Sequence, residues 1–268
     1  MTTTPRADPL AFLEDEVAAL NERHLYRALR VMSSAQGPIV SVDEKRVVSL
    51  SSNDYLGLTH HPRLRDAALQ AIFDPFGNAV HTALAFPVLG EDVLVVGAGP
   101  IGLMATAVAR HAGARHIVVS EPNAFRRDLA MRMGATLVVD PRARTLKDAQ
   151  DELGMVEGFD VVFEMSGNAN ALRDALANMA HGAGMAILGI PTAEIPIDVS
   201  QIVFNQLSLR GIYGREMYET WYKMTVMLQS GLAIGPVITH RFDHRDFEAA
   251  FATARSGESG KVIMDWTT

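Results

Sequence analysis

Residues 93–102 read VLVVGAGPIG, and this stretch decides the fold. Four apolar residues typical of a buried strand lead into Gly97, Gly99 and Gly102 and then into an apolar helical pattern. In such a strand–turn–helix the first glycine permits a tight turn and the second lets a pyrophosphate approach the backbone. The third lets the helix pack close to the strand. Because the helix N-terminus presents N–H groups to an anion, the stretch predicts a dinucleotide-binding site.

Short apolar strands and helical patterns alternate along the chain from Glu91 onward. Strands are predicted at 93–96, 116–120, 137–139, 159–163, 185–189 and 207–212. Strands that are apolar throughout indicate a parallel sheet covered on both faces. The predicted fold class is therefore α/β, a doubly wound parallel-sheet Rossmann domain over roughly residues 72–245.

The segments that flank this domain follow other patterns. Residues 9–30 have apolar positions at helical spacing, residues 39–42 and 46–50 read as short strands around a turn, and His61 opens another helical pattern. Residues 1–71 are therefore predicted as a short α+β segment. Residues 246–268 read as a C-terminal helix followed by a strand.

An acidic residue follows the second predicted strand of the sheet. Glu121 lies nineteen positions after Gly102, where a carboxylate can accept hydrogen bonds from the adenosine ribose hydroxyls and repel a 2′-phosphate. This position favours NAD over NADP. Arg126 and Arg127 leave the other cofactor open, since a guanidinium can accommodate the phosphate. A solvated surface is the alternative for all three side chains.

Composition narrows the classes of function. A net charge of −7 and a pI of about 5.7 argue against a nucleic-acid partner. No apolar run reaches the roughly 20 residues that cross a bilayer, and the first residues lack an apolar signal core. We therefore expect a cytoplasmic protein with no membrane contact. The sequence has no cysteine, which excludes disulfides, thiolate nucleophiles and Cys-ligated zinc.

Seven segments beyond residue 72 carry a family resemblance. They read FDPFGNAVHTAL at 73–84, GAGPIG at 97–102, EMSG at 164–167, LGIP at 188–191, GIYGREMYETWYKM at 211–224, THRF at 239–242 and SGESGKVI at 256–263. Together they resemble the zinc-dependent medium-chain dehydrogenases, and among these the L-threonine 3-dehydrogenases. The resemblance implies an NAD-dependent oxidoreductase, L-threonine as the small-molecule substrate and a homo-oligomer.

The resemblance implies roles at the adenosine end of the cofactor. Ile101 would lie against the cofactor at the glycine turn, and Glu121 and Arg126 would hold the adenosine.

At the other end of the cofactor, Leu188, Gly189 and Ile190 would meet the nicotinamide carboxamide through backbone groups. Ile212 and Tyr213 would close over the nicotinamide ring. Ordinary core packing is the alternative for Leu188 and Ile212.

In the resembled family a zinc ion binds the substrate oxygen and is held by a separate N-terminal domain. That domain has no counterpart here, and neither His60 with His61 nor His240 with His244 has a carboxylate at a known ligand spacing. No metal ligand is therefore assigned. Because the family uses zinc, impaired activity is expected. The strand at 261–264, which would return to that domain, is expected to lack a proper partner.

Asp74 is the catalytic candidate because it matches a family acid that lies near the zinc and assists proton relay. Helix capping is the alternative, since Asp74 followed by Pro75 suits an N-cap and a first-turn proline.

The first 71 residues resemble a different family. The segment VVSLSSNDYLGLTHHPRL at 47–64 is similar to the α-oxoamine synthases, close to glycine C-acetyltransferase. The lysine that binds pyridoxal phosphate in that family, and its domain, are absent, so Asn53, Tyr55 and Gly57 are left without a cofactor. A working acyltransferase is therefore not expected.

The two resembled families act in consecutive steps, one forming 2-amino-3-oxobutyrate and the other cleaving it with CoA. We therefore hypothesise an in-frame fusion of two neighbouring genes, with a seam near Ala71 and Ile72. The alternative to an enzyme is a non-catalytic NAD-binding remnant of that fusion, or a partner subunit.

Overall fold

The computed structural model describes residues 18–19, 22–23, 39–48 and 73–265. The chain divides into two units, residues 1–61 and 62–268. Most of the predicted helix over 9–30, the motif beyond residue 48, His60 with His61 and the seam at 71–72 lie outside the described residues.

The described part of the first unit is a β-hairpin. Strands β1 (Ile39–Val42) and β2 (Lys45–Val48) are antiparallel. Asp43 and Glu44 connect them with φ values of +48° and +64°. Positive φ at both central residues is the conformation of a type I′ turn, whose twist matches the twist of the strands. The two strands predicted in this segment are therefore confirmed.

A six-stranded parallel sheet organises the second unit, with the strand order β5-β4-β3-β6-β7-β8. The strands are β3 (Asp92–Val96), β4 (His116–Ser120), β5 (Leu137–Val139), β6 (Phe159–Glu164), β7 (Met179–Ile187) and β8 (Ser208–Gly211). All six predicted strands are present, and the doubly wound α/β class is confirmed. Strand β7 begins six residues earlier than predicted, because its first half, MAHGAG, interrupts the apolar pattern with His181 and two glycines.

Helices cover both faces of this sheet. They are α1 (Phe73–Ala83), α2 (Pro100–His111), α3 (Ala124–Arg132), α4 (Leu146–Leu153), α5 (Ala169–Ala177), α6 (Val199–Phe204), α7 (Glu219–Gln229) and α8 (Phe247–Ser256). Short 3-10 turns at Gly235–Val237 and His244–Asp246 join the last elements.

The core is divided into two layers by the sheet. Val93 and Val95 belong to one apolar cluster, whereas Leu94 and Val96 belong to the other. Successive side chains of a strand point to opposite faces, so a strand that is buried on both faces must be apolar throughout. This is why the all-apolar runs in the sequence predict the sheet.

The C-terminal strand has a strand neighbour. Strand β10 (Lys261–Asp265) pairs in parallel with β9 (Ile238–Asp243), and α8 lies between them in the chain. Ile263, at the middle of β10, is buried. This pairing depends on a crossover that the local pattern at 261–264 does not reveal, and the expectation that the apolar face of the strand lacks its proper partner stays a prediction. Within the described residues, no helix is both long and apolar enough to cross a membrane.

Candidate functional site

The glycine turn after β3 needs glycine at two of its three positions. Gly97 has φ +94°, and a Cβ there would lie 3.2 Å from the Cβ of Ser166. A Cβ at Gly102 would lie 2.0 Å from the carbonyl oxygen of Gly97. A side chain at either position would therefore strain the backbone or push α2 away from the strand.

Gly99 differs, because a Cβ built there would meet no atom of the described residues within 4 Å. It precedes α2, and no side chain caps the start of that helix. The first N–H groups of a helix need acceptors, and together with the helix dipole they favour an anion. The open space beside Gly99 and the half-buried Ile101 thus fits a pyrophosphate that approaches the backbone.

The turn lies where the sheet changes its direction of winding. From β3 the chain proceeds outward through β4 and β5, and then crosses back to β6 and continues through β7 and β8. The close approach of Gly97 to Ser166 joins the ends of β3 and β6. Ligands of open α/β sheets bind at such a switch point, outside the carboxyl ends of the strands.

Glu121 follows β4 beside this crevice. The residue is 5% exposed, so the alternative of a solvated surface does not hold for it. One carboxylate oxygen accepts a hydrogen bond from the N–H of Ala98 at 2.8 Å, and the other accepts one from Asn123 at 2.9 Å. A carboxylate has about four acceptor positions, so Glu121 can also accept hydroxyl donors.

The two arginines considered in the sequence have separate partners. Arg126 donates from Nε to the carbonyl oxygen of Ser259 at 3.4 Å. Arg127 donates to the carbonyl oxygen of Glu121 at 2.8 Å and lies 3.2 Å from a carboxylate oxygen of Asp140. Arg127 is therefore a structural partner of the loop after β4 and not a free surface cation.

Sequence reasoning missed Asp140 and Arg142. Asp140 directly follows β5, and Arg142 donates to both of its carboxylate oxygens, at 2.9 and 2.8 Å. The hydrogen bonds from Arg142 hold the pKa of Asp140 well below its ordinary range. The available signal was the rule that residues after neighbouring parallel strands meet at one edge of the sheet.

Glu164, at the end of β6, carries a second buried carboxylate that sequence reasoning missed. Glu164 is fully buried, and its carboxylate accepts from the N–H groups of Ser166 and Gly167 at 2.9 and 3.0 Å. Its backbone carbonyl accepts from Leu188 and Gly189 at 2.9 and 3.0 Å. Loop 188–190 therefore lies against loop 165–167. A carboxylate that directly follows the apolar run Val161–Phe163 was the sequence signal.

The residues expected at the nicotinamide end differ in exposure. Leu188 is half-buried and packs against the core, whereas Ile190 points to solvent. Ile212 is buried in the core, and its N–H donates to the carbonyl oxygen of Ile187 at 2.8 Å. Tyr213 is 96% exposed. Ile190 and Tyr213 are therefore the exposed side chains among these residues, whereas Leu188 and Ile212 pack against or within the core.

Asp74 lies inside the first turn of α1, one residue after the helix begins, and not before the helix at its N-cap. Its side chain is 69% exposed and forms an ion pair with Arg215. The guanidinium of Arg215 lies 5.9 Å from the ring of Trp221. Helix α1 is therefore tied to the loop after β8.

The described residues contain no group of three His, Asp or Glu side chains that could hold a metal ion. His240 shares a hydrogen bond of 2.9 Å with Thr239. His244 lies 3.4 Å from a carboxylate oxygen of Asp243.

The comparisons with known proteins agree with this geometry. Residues 100–230 match the family model described as zinc-binding dehydrogenase. An L-threonine 3-dehydrogenase of Solibacter usitatus is 62% identical over 207 residues, which are 77% of this chain and 60% of that protein. The chain thus spans about 60% of the length of this curated relative.

Solved structures share the fold. L-idonate 5-dehydrogenase of Escherichia coli superposes with a TM-score of 0.66 at 24% identity, over 75% of this chain and 57% of that chain. A zinc-binding dehydrogenase of Sinorhizobium meliloti, solved with NADP, gives 0.65 at 24% identity, over 73% and 58%. Residues 100–230, which begin within the glycine turn and include β4 to β8, therefore match the model described as zinc-binding dehydrogenase. The chain is similar to L-threonine 3-dehydrogenases over 77% of its length.

Proposed function

We propose that this chain binds NAD in the crevice at the switch point and serves as the cofactor-binding part of an L-threonine 3-dehydrogenase. The observation that carries the proposal is the buried carboxylate of Glu121 beside the open space at Gly99. This arrangement fits a diphosphate that is joined to an unphosphorylated ribose. The similarity to curated L-threonine 3-dehydrogenases supports threonine as the substrate.

Each residue of the crevice then has a binding role. The N-terminus of α2 and the backbone near Gly99 and Ile101 receive the pyrophosphate, and Glu121 accepts the ribose hydroxyls. Arg126 lies beside the adenosine, and the backbone of loop 188–190 together with Ile212 and Tyr213 borders the nicotinamide. Bound NAD would supply the hydride acceptor for the oxidation of threonine at carbon 3, with the hydroxyl proton released to solvent, so that 2-amino-3-oxobutyrate would form.

No zinc ligand set fits the described residues, so no step is assigned to zinc. Asp74 carries a carboxylate that could accept a proton, but Arg215 already neutralises it. Slow threonine oxidation by residues 1–268 on their own stays a prediction, as does a cytoplasmic location.

Calorimetric titration tests the binding step. We expect NAD to bind with a dissociation constant between about 1 μM and 1 mM, the usual range for an enzyme and its ligands. Glu121→Gln should weaken NAD binding about tenfold and narrow the gap to NADP, because the charged acceptor of the ribose hydroxyls is lost. Glu152→Gln, the same change on the exposed surface of α4, is the matched control. Failure of the unaltered chain to bind NAD at 1 mM (about the upper limit of that range) would remove the proposal.

NADH absorbance with threonine as substrate tests the chemical step. Threonine-dependent NADH formation supports the dehydrogenase. Binding of NAD without turnover, even with added zinc, favours the alternative of a non-catalytic NAD-binding remnant or a partner subunit.

We also propose that two copies of the chain pair through β8. Within the described sheet, β8 has a strand neighbour on one side alone, namely β7. The N–H of Ile212 points toward β7, so the N–H groups of Leu209 and Gly211 point to the open edge, since donors alternate along a strand. An open edge of this kind is commonly covered by pairing with a second chain.

A further inference from the structure

We propose that Asp140 is a residue that determines cofactor specificity, because it holds Arg127 and Arg142 in positions where neither can bind the 2′-phosphate of NADP. The proposal rests on the NAD site proposed above and deepens it. No position in the glycine turn is involved.

Asp140 lies next to the expected ribose position. It directly follows β5, the neighbour of β4, whose end carries Glu121. The N–H of Glu121 donates to the carbonyl oxygen of Val139 at 2.9 Å. The two acidic residues therefore end adjacent strands at the same edge of the sheet, although nineteen positions separate them in the sequence.

The carboxylate of Asp140 pairs with the guanidinium groups of Arg127 and Arg142. Arg142 donates to it through Nε and Nη2 at 2.9 and 2.8 Å, and Arg127 lies 3.2 Å away. Both arginines also donate to carbonyl oxygens of the loop after β4, namely those of Glu121 and Pro122. Several donors of each arginine are thus already engaged by the protein.

The exposure of Arg127 and Arg142 decides which of them can reorient toward a 2′-phosphate. The side chains of Asp140 and Arg127 are 20% and 19% exposed, whereas that of Arg142 is 69% exposed. Arg127 is confined by its surroundings, but Arg142 can reorient once its ion pair is removed. A 2′-phosphate requires free guanidinium donors in a paired geometry. With Asp140 in place, Glu121 repels the phosphate, and Arg127 and Arg142 are already paired.

Asparagine is a suitable replacement for Asp140. One carboxylate oxygen of Asp140 accepts the backbone N–H of Arg142 at 3.1 Å, which closes a local turn. An asparagine side chain keeps this acceptor and removes the charge. Asp140→Ser, which can close the same turn more weakly, is a second variant with the same expected direction.

Calorimetric titration of NAD and NADP with Asp140→Asn tests the proposal. We expect NADP to bind about fivefold more tightly than to the unaltered chain, the scale of one exposed ion pair, and NAD to change by less than about twofold. Asp151→Asn, which removes an equal charge from the exposed Lys147 pair on α4, should change neither affinity. Adding Arg142→Gln to Asp140→Asn should abolish the gain for NADP.

The outcomes separate the two proposals. If the unaltered chain does not bind NAD, the proposed function fails. If it binds NAD and both Asp140 variants bind NADP no better than Asp151→Asn does, the role of Asp140 is overturned. A gain for NADP that survives the loss of Arg142 would also overturn it, because the released guanidinium is the stated cause.

Discussion

Two glycines of the turn, Gly99 and Gly102, face different constraints. Gly99 has φ −66° and ψ 175°, which any residue can adopt, and a Cβ there would enter open space. A Cβ at Gly102 would lie 2.0 Å from the carbonyl oxygen of Gly97. Gly99 therefore leaves room for a ligand, whereas Gly102 allows α2 to pack on the sheet.

Alanine at each position tests this distinction. Gly99→Ala should weaken NAD binding at least about tenfold through a clash with the pyrophosphate, and should change the free energy of unfolding by less than about 0.5 kcal/mol. Gly102→Ala should destabilise the fold by about 1–3 kcal/mol, as overpacking does. Urea unfolding and NAD titration measure both effects. Equal loss of stability in the two variants would show that the space at Gly99 is not open.

Glu91 lies beside Asp160 at the opposite end of the sheet. Burial, followed by repulsion from Asp160, raises the pKa of Glu91 above its model-compound value of 4.5. The folded state therefore resists ionisation of Glu91 more than the unfolded state does. The resulting loss of folding stability is fully present above the raised pKa of Glu91 and is absent below about pH 4.5.

Glu91→Gln removes the ionisable group and should raise the melting temperature at pH 7 by about 1–2 °C. The gain should disappear when the pH falls below 4.5, where Glu91 is protonated in both states. Calorimetric scans at pH 7 and pH 4 measure it, with Glu157→Gln in an exposed loop as the control. A gain that is as large at pH 4 (below the ordinary pKa of a Glu carboxyl, about 4.3) would argue against this ionisation.

At the scale of elements, α1 is joined to the loop after β8 by one long side chain. Arg215 forms an ion pair with Asp74, and its Cδ would lie 2.5 Å from a Cβ added at Gly77. Its side chain is 25% exposed, so much of its length is buried against α1. An arginine in such a position stabilises through the packing of its stem as well as through its charge.

Arg215→Ala should therefore cost about 1–3 kcal/mol of unfolding free energy, through lost packing and lost hydrogen bonds. Asp74→Asn should cost less than about 1 kcal/mol, because this carboxylate is mostly exposed. Urea unfolding of the two variants and of the double variant separates the contribution of packing from that of the ion pair. If Asp74→Asn costs as much as Arg215→Ala, the ion pair and not the packing ties the elements together.

For the whole molecule, the open edge of β8 predicts a dimer with a continuous sheet. Gly211→Pro removes an N–H that points to the edge without removing a bond to β7, and it should shift the assembly toward monomer. Gly211→Ala is the control, because a Cβ at this position meets no atom within 4 Å and the donor remains. Light scattering at tens of micromolar (a concentration at which dimers of moderate affinity form) measures the mass. A monomeric unaltered chain would contradict the proposed pairing.

The sequence by itself determined the fold class and the location of the turn. Strands buried on both faces must be apolar, and Gly97 and Gly102 occupy positions where any Cβ would clash, so both features are written locally. Glu121 was found for the same reason, since its distance from Gly102 follows from one helix and one strand.

Only the tertiary structure decided how distant segments meet. The pairing of β10 with β9, the contact of Asp140 with Arg127, and the tie from Arg215 to Asp74 each join residues that no local pattern relates. Arg215 and Asp74 are 141 positions apart in the sequence. Such contacts depend on strand order and on crossovers, and these follow from how whole apolar surfaces are buried together and not from the spacing of residues along the chain.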